Sequence, residues 1–233
     1  MVADGDNRAV NTLLLGVVGS TAYGLAHAGS DVDRLGVYAV PTTELHGLRL
    51  PIDKAATIVE HDPDRTVHEA RKFAMLCLSS NPTVTELLWL PAELYEVRTA
   101  LGEELIAIRG AFAAAPYVRD AYYGYATSQF KRLLTTGQFQ SKMRKRQSKH
   151  GRHLLRLLDQ GYEYYVTGRL SLRVADPQRY HDFGDRVAAD PEAARPALAE
   201  AREKFAAARS PLPDAPDERV VEGWLRRVRA AYL

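Results

Sequence analysis

The sequence predicts an α+β chain, with strands and helices mixed over residues 1–110 and a mainly helical stretch over residues 111–233. Two observations carry this prediction. Thr12 to Val18, Asp33 to Val40 and Thr57 to Glu60 are short, β-prone runs, all in the first part of the chain. Beyond an Ala-rich stretch that ends at Pro116, apolar residues recur at three- and four-residue intervals, as in Leu154, Leu155 and Leu158 and again in Val220, Val221, Trp224, Leu225 and Val228. A chain of 233 residues can hold one large or two modest domains.

The first run carries no charge and stops at Gly19-Ser20, so it reads as a buried strand. A helix is expected from near Ser20, with Ser20 as its cap and the amides around Gly19 and Ser20 pointing outward, as a helix start does when it receives an anionic phosphate. Gly19 and Gly24 permit close backbone approach. Asp31 and Asp33 open the second run, and strand periodicity places both carboxylates on one face. Two aspartates held side by side repel unless a divalent cation sits between them, and hard oxygen ligands beside a phosphorylated substrate suit Mg²⁺ or Mn²⁺. The implied chemistry is two-metal phosphoryl transfer, with ions about 3.5–4 Å apart serving the attacking oxygen and the departing pyrophosphate.

After the third run, Thr57 to Glu60, a helix is expected from about Val67 to Ser80, with Glu69, Arg71 and Lys72 on its surface. Cys77 lies in the apolar register of that helix and reads as a core residue. Asn81-Pro82 ends it and starts the next helix, since Asn caps and proline supplies the fixed φ of a first turn. Glu86 follows among Leu87, Leu88 and Trp89, where a charge needs a partner. Lys72 or Arg71 is the expected partner, and no catalytic role is assigned to Glu86.

Gly19-Ser20-x-Ala22-Tyr23-Gly24 and then Ser30-Asp31-x-Asp33-x-x-Gly36-Val37 resemble the nucleotidyltransferase domain of the DNA polymerase beta-like superfamily. The Ala-Tyr-Gly variant is most similar to the RNA-ligase-associated branch, nucleotidyltransferases expected to act in RNA repair. Three further segments agree: Asp64-x-Thr66 leading into Arg71-Lys72-Phe73, Asn81-Pro82-Thr83-x-x-Glu86-Leu87-Leu88, and Lys149-His150 with His153-Leu154-x-Arg156-Leu157-Leu158. The resemblance implies a small mixed-sheet catalytic domain over residues 1–110, then a helical domain over 111–233 with a basic helix and a C-terminal docking helix. It also implies Mg²⁺-dependent transfer of a nucleoside monophosphate from a nucleoside triphosphate to an acceptor hydroxyl, with an RNA end as the preferred acceptor and an RNA ligase as a potential partner. Such enzymes need a third carboxylate, which the resemblance places at Asp64. From the residues alone Glu60 and Asp62 compete for that role, and Asp64 reads equally well as a helix cap. The expected metal set is therefore Asp31, Asp33 and Asp64, and the expected nucleotide set is Gly19, Ser20, Tyr23, Lys149 and Arg156.

The formal net charge of +2 is unevenly spread. Between Lys131 and Arg156 there is no acidic residue, and on a helix Lys142, Lys145, Lys149, Arg152 and Arg156 share a face. Such a stripe can grip a triphosphate or track a polynucleotide backbone, or it can be a plain solvated face. His150 and His153 lie within it without a carboxylate in local register, so neither is a good general base. The aromatics beside it, Tyr117 to Phe139 and then Tyr162, Tyr164 and Tyr165, read chiefly as core, with base stacking as the alternative.

No run approaches a membrane span, Met1 to Asn11 is unlike a signal segment, and Cys77 has no partner for a disulfide, so a cytoplasmic enzyme is expected. Ala188 to Arg209 reads as an exposed helix and Ser210 to Asp217, with three prolines, as a linker. Two other readings stay open: a non-catalytic RNA-binding module with the same fold, and nucleotidyl transfer to a small molecule or protein.

Overall fold

The computed structural model describes residues 11–48, 56–135 and 141–233, and the side chains of residues 135 and 141–144 are left out of the description. Of the sequence-based expectations, those for Met1 to Val10, for Phe139 and for the Lys142 side chain fall outside these residues.

Among the described residues five strands form one mixed sheet. β1 (Asn11–Val17) leads through α1 (Gly19–Tyr23) to β2 (Arg34–Ala39), and a hairpin of β3 (Thr57–His61) and β4 (Asp64–Glu69) follows. Next come α2 (Ala70–Leu78), α3 (Pro82–Thr85), β5 (Tyr95–Arg98) and α4 (Ala100–Ala107). The strand order is β3-β4-β2-β1-β5, with β2 and β4 parallel and the other neighbours antiparallel. Beyond residue 114 the described residues are mainly helical: α5 (Ala115–Thr135), α6 (Ser141–Thr167), α7 (Pro177–Ala189), α8 (Arg195–Ala207) and α9 (Glu218–Ala231). The α+β architecture is thus as expected.

Local boundaries depart from the sequence reading where sheet pairing competes with helix propensity. Val67, His68 and Glu69 belong to β4, because this stretch pairs with β2 from Arg34↔Arg65 to Tyr38↔Glu69, and the helix starts only at Ala70. Glu69 is consequently not a surface residue. It is buried, accepts the Arg71 amide at 2.8 Å as the cap of α2, and pairs with Arg229 of α9 at 2.7 Å. Ser20 does not cap α1 either: the cap position is Val18, with no side-chain hydrogen bond, and Gly19 begins the helix at φ +67°. Asn81 does cap α3, accepting the Thr83 amide at 3.1 Å.

One cluster of buried side chains runs from Leu13 and Leu14 on β1 through Phe73 and Cys77 on α2, Tyr122 and Phe130 on α5 and Leu154 and Leu157 on α6 to Trp224 on α9. The stretch read as an exposed helix is partly inside it, since Leu198, Ala201 and Phe205 of α8 are buried. The proline-rich segment is docked as well, with the Ala115 amide donating to Pro213 O at 2.8 Å and the Asp217 amide to Ala111 O at 2.8 Å. The C-terminal helix buries Val221, Trp224 and Val228, and Trp224 Nε1 donates to Leu101 O at 2.9 Å. Among the described residues no helix is long and apolar enough to cross a membrane.

Candidate active site

The parallel pairing of β2 with β4 sets the geometry of the site. Arg34 lies opposite Arg65, so the residue before each, Asp33 and Asp64, stand beside one another where the two strands begin. The end of β1 meets the same place, because Val17 pairs with Arg34 and the Val18 amide donates to Asp33 O at 2.9 Å. Asp31 and Asp33 precede β2 and are not on it, yet this approach keeps the alternation: Asp31, Asp33 and Leu35 all line one cavity while Val32 is exposed. On β4, Asp64, Thr66 and His68 line it in the same two-residue rhythm.

The cavity encloses about 670 Å³, a volume suited to a nucleotide, and is lined from both parts of the chain. The sheet side supplies Gly19, Ser20, Tyr23, Asp31, Asp33 and Asp64, and α6 supplies Lys149, Arg152, His153 and Arg156. All eight residues singled out from the sequence border this space. Glu60 and Asp62, the competing acids, are absent from its lining, and Glu60 is held across the hairpin by Arg65 at 2.6 Å.

Electrostatics show how close the groups stand. Burial raises the Asp33 carboxyl above its ordinary value, the Lys149 ammonium across the cavity lowers it, and Asp64 and Asp31 raise it again. Asp33 therefore feels both other acids. Gly19 makes room for it: a Cβ there would stand 2.3 Å from Asp33 Oδ2. Carboxylates are hard, negatively charged donors of the kind a divalent cation takes, and the upward pull of Asp64 and Asp31 on Asp33 is what such a cation would relieve. Among the described residues no three acidic, His or Cys side chains are gathered into a ready-made metal centre.

The family of RNA repair pathway DNA polymerase beta proteins matches residues 5–173. The chain belongs to this family. The match covers the whole sheet and continues through α6, so it includes every residue named above as lining the cavity. No curated protein matches the chain.

Within this RNA repair polymerase beta fold, the basic stripe is graded instead of uniform. Lys145 and Lys149 are exposed, Arg152 is half-buried with its Nη1 donating to His181 at 3.0 Å, and Arg156 is 2% exposed. Both terminal nitrogens of Arg156 are engaged inside the protein, on Gln160 Oε1 at 2.6 Å and His153 Nδ1 at 2.9 Å. His150 is turned to Gln129 Oε1 at 2.7 Å, and burial with the surrounding cations lowers the pKa of both histidines. The described aromatics flanking the stripe are absent from the cavity lining, and Tyr122, Phe130, Tyr164 and Tyr165 lie in the core.

One residue of the cavity escaped the sequence reading, and a second was given the wrong partners. His68 borders the cavity as a neutral ring, its pKa lowered to about 4 by burial and by Lys72, and is hydrogen-bonded to Thr57 at 2.9 Å. The Asp-x-Thr-x-His alternation carried that signal, hidden by assigning Val67 and His68 to a helix. Glu86, expected to pair with Lys72 or Arg71, is instead buried at the cavity floor beside Tyr23 and Arg156. Its apolar sequence neighbours gave no indication of partners so far along the chain.

Proposed function

We propose that the protein is a divalent-metal-dependent nucleotidyltransferase that moves a nucleoside monophosphate from a nucleoside triphosphate to a hydroxyl at an RNA end. The observation that carries this reading is the adjacency of Asp33 and Asp64 at the starts of two parallel strands, with Asp31 on the same face and Lys149 across the cavity. Residues 1–110 then act as the catalytic domain and residues 111–233 supply the basic helix.

In this reading Asp31, Asp33 and Asp64 hold Mg²⁺ or Mn²⁺, which supplies positive charge to the attacking and leaving oxygens. Ser20 and the turn around Gly19 border the β- and γ-phosphates, and Lys149 adds a point charge. Asp64 orients the acceptor hydroxyl and its carboxylate takes up the hydroxyl proton as that oxygen bonds the α-phosphorus. The bond from that phosphorus to the bridging oxygen breaks, and pyrophosphate leaves. The exposed Lys145 and Arg146 extend the positive face of α6 for a polynucleotide backbone.

A second reading, a non-catalytic RNA-binding module or partner of an RNA ligase, draws on the lack of a ready-made metal centre among the described residues. Incubation with labelled triphosphates, Mg²⁺ or Mn²⁺ and total RNA separates the two. Transfer that disappears in the Asp31→Ala, Asp33→Ala double variant supports the enzyme, whereas RNA retention without transfer under either metal supports the module.

A further inference from the structure

Glu86 takes no part in the proposed chemistry, yet it is buried at the floor of the cavity with three partners. Its carboxylate accepts the Tyr23 hydroxyl, lies 3.9 Å from Arg156 Nη1, and is near enough to the Gly19 amide for that dipole to favour its charged form. The Arg156 guanidinium sits 3.8 Å over the Tyr23 ring. Beyond Arg156, Gln160 donates to the carbonyls of Ser171 at 3.1 Å and Leu172 at 2.7 Å, and the Val174 amide donates back to Tyr23 O at 3.0 Å. The contacts close a circuit from Glu86 through α1 and α6 to the 171–174 segment.

The Gly19–Ser20 turn needs such support. Its helix has five residues, no side-chain cap and a first residue at φ +67°, so local propensity does not hold its shape. A buried carboxylate and a buried guanidinium are each costly alone and are retained only when fully partnered. Arg156 is 2% exposed and spends one N–H of each terminal nitrogen on a protein acceptor, so little of its guanidinium is presented to a phosphate.

We infer that Glu86, Tyr23 and Arg156 form one buried strut that fixes the Gly19–Ser20 turn, with Arg156 a positioning residue acting through Tyr23 and Glu86 instead of a direct phosphate ligand. The consequence for substrate rests on the nucleotidyltransferase reading. The strut itself does not.

Hydrogen–deuterium exchange of residues 18–25 in the free protein tests it. Tyr23→Phe deletes one oxygen and keeps the ring, so it folds even where Glu86→Gln does not. Each single variant should speed exchange in this segment by at least about tenfold while residues 218–231 are unchanged, and the double variant should be no faster than the faster single, as members of one unit behave. Arg156→Lys keeps the charge but loses the planar fork, and should speed exchange equally. Unchanged exchange in the folded variants, or effects that simply multiply, overturns the strut. In parallel, triphosphate binding by calorimetry should weaken roughly tenfold in Tyr23→Phe and multiply with the loss from Lys149→Ala. A wild-type protein that binds no triphosphate removes the phosphate reading, while the exchange result still decides the strut.

Discussion

Single residues decide whether the carboxylates can meet. Gly19 is required twice, by its positive φ and by the 2.3 Å that a Cβ would leave to Asp33 Oδ2. Gly19→Ala should cost about 1–2 kcal/mol from the left-handed backbone alone. By displacing Asp33 it should also lower transfer by roughly a hundredfold, as misplacement by an ångström does. Thermal unfolding together with an initial-rate assay checks both, and wild-type rates from that variant would remove Gly19 from the site. The Gly-Ser and Asp-x-Asp pattern was legible in the sequence because it is local. Glu86 was not, because its partners lie 63 and 70 positions away. Burial raises its carboxyl from 4.5 to about 7, against the pull of Arg156 and Tyr23. A raised folded pKa favours the protonated native state, so this contribution is fully present below pH 4.5 and is lost as pH rises through about 7, by about 3 kcal/mol over that window. Glu86→Gln should therefore show a flatter dependence of urea stability on pH between 4.5 and 7 than the metal-free wild type. Parallel curves would contradict the burial of a titrating acid there.

At the scale of elements, periodicity located β1, β2, β3 and the helical character of the second part of the chain, but missed β5 and the competition that makes β4 a strand. The stretch from Val67 to Glu69 has a helical pattern when read alone, and pairing with β2 overrides it. The same pairing sets Asp64 beside Asp33, so the boundary error and the uncertain third acid had one cause. On α6 the spacing of basic residues was visible, whereas their gradation from the exposed Lys149 to the buried Arg156 depends on how the helix enters the core. Lys149→Ala should weaken triphosphate binding roughly tenfold, about 1.4 kcal/mol, with little change in thermal stability because the side chain is exposed. Unchanged affinity would take Lys149 out of the site. The docking of α9 was legible from its apolar spacing. Trp224, fully buried and bonded to Leu101 O, anchors it, and Trp224→Ala should cost about 3–5 kcal/mol by denaturant unfolding. A loss below about 1 kcal/mol would show the helix to be dispensable.

Across the whole molecule, a sheet end rich in acid faces a helix rich in base over one cavity, and the buried cluster that joins the two parts fixes that opposition. The near-neutral total charge conceals it, because the charges are separated in space and not by number. If α6 guides an RNA strand, replacing Lys145, Arg146 and Lys149 by Gln should reduce the slope of log affinity against log salt by about 2, near 0.7 for each phosphate that is no longer neutralised. An unaltered slope would place the RNA elsewhere. The most direct measurement of the central claim compares triphosphate labelled at the α-phosphate with triphosphate labelled at the γ-phosphate, in the presence of RNA and Mg²⁺ or Mn²⁺. The α label should appear in RNA and the γ label in pyrophosphate, and Asp33→Asn should lower both by at least about a thousandfold while the protein stays folded. Transfer of the γ label to RNA, or undiminished α transfer by Asp33→Asn, would contradict nucleotidyl transfer at these carboxylates.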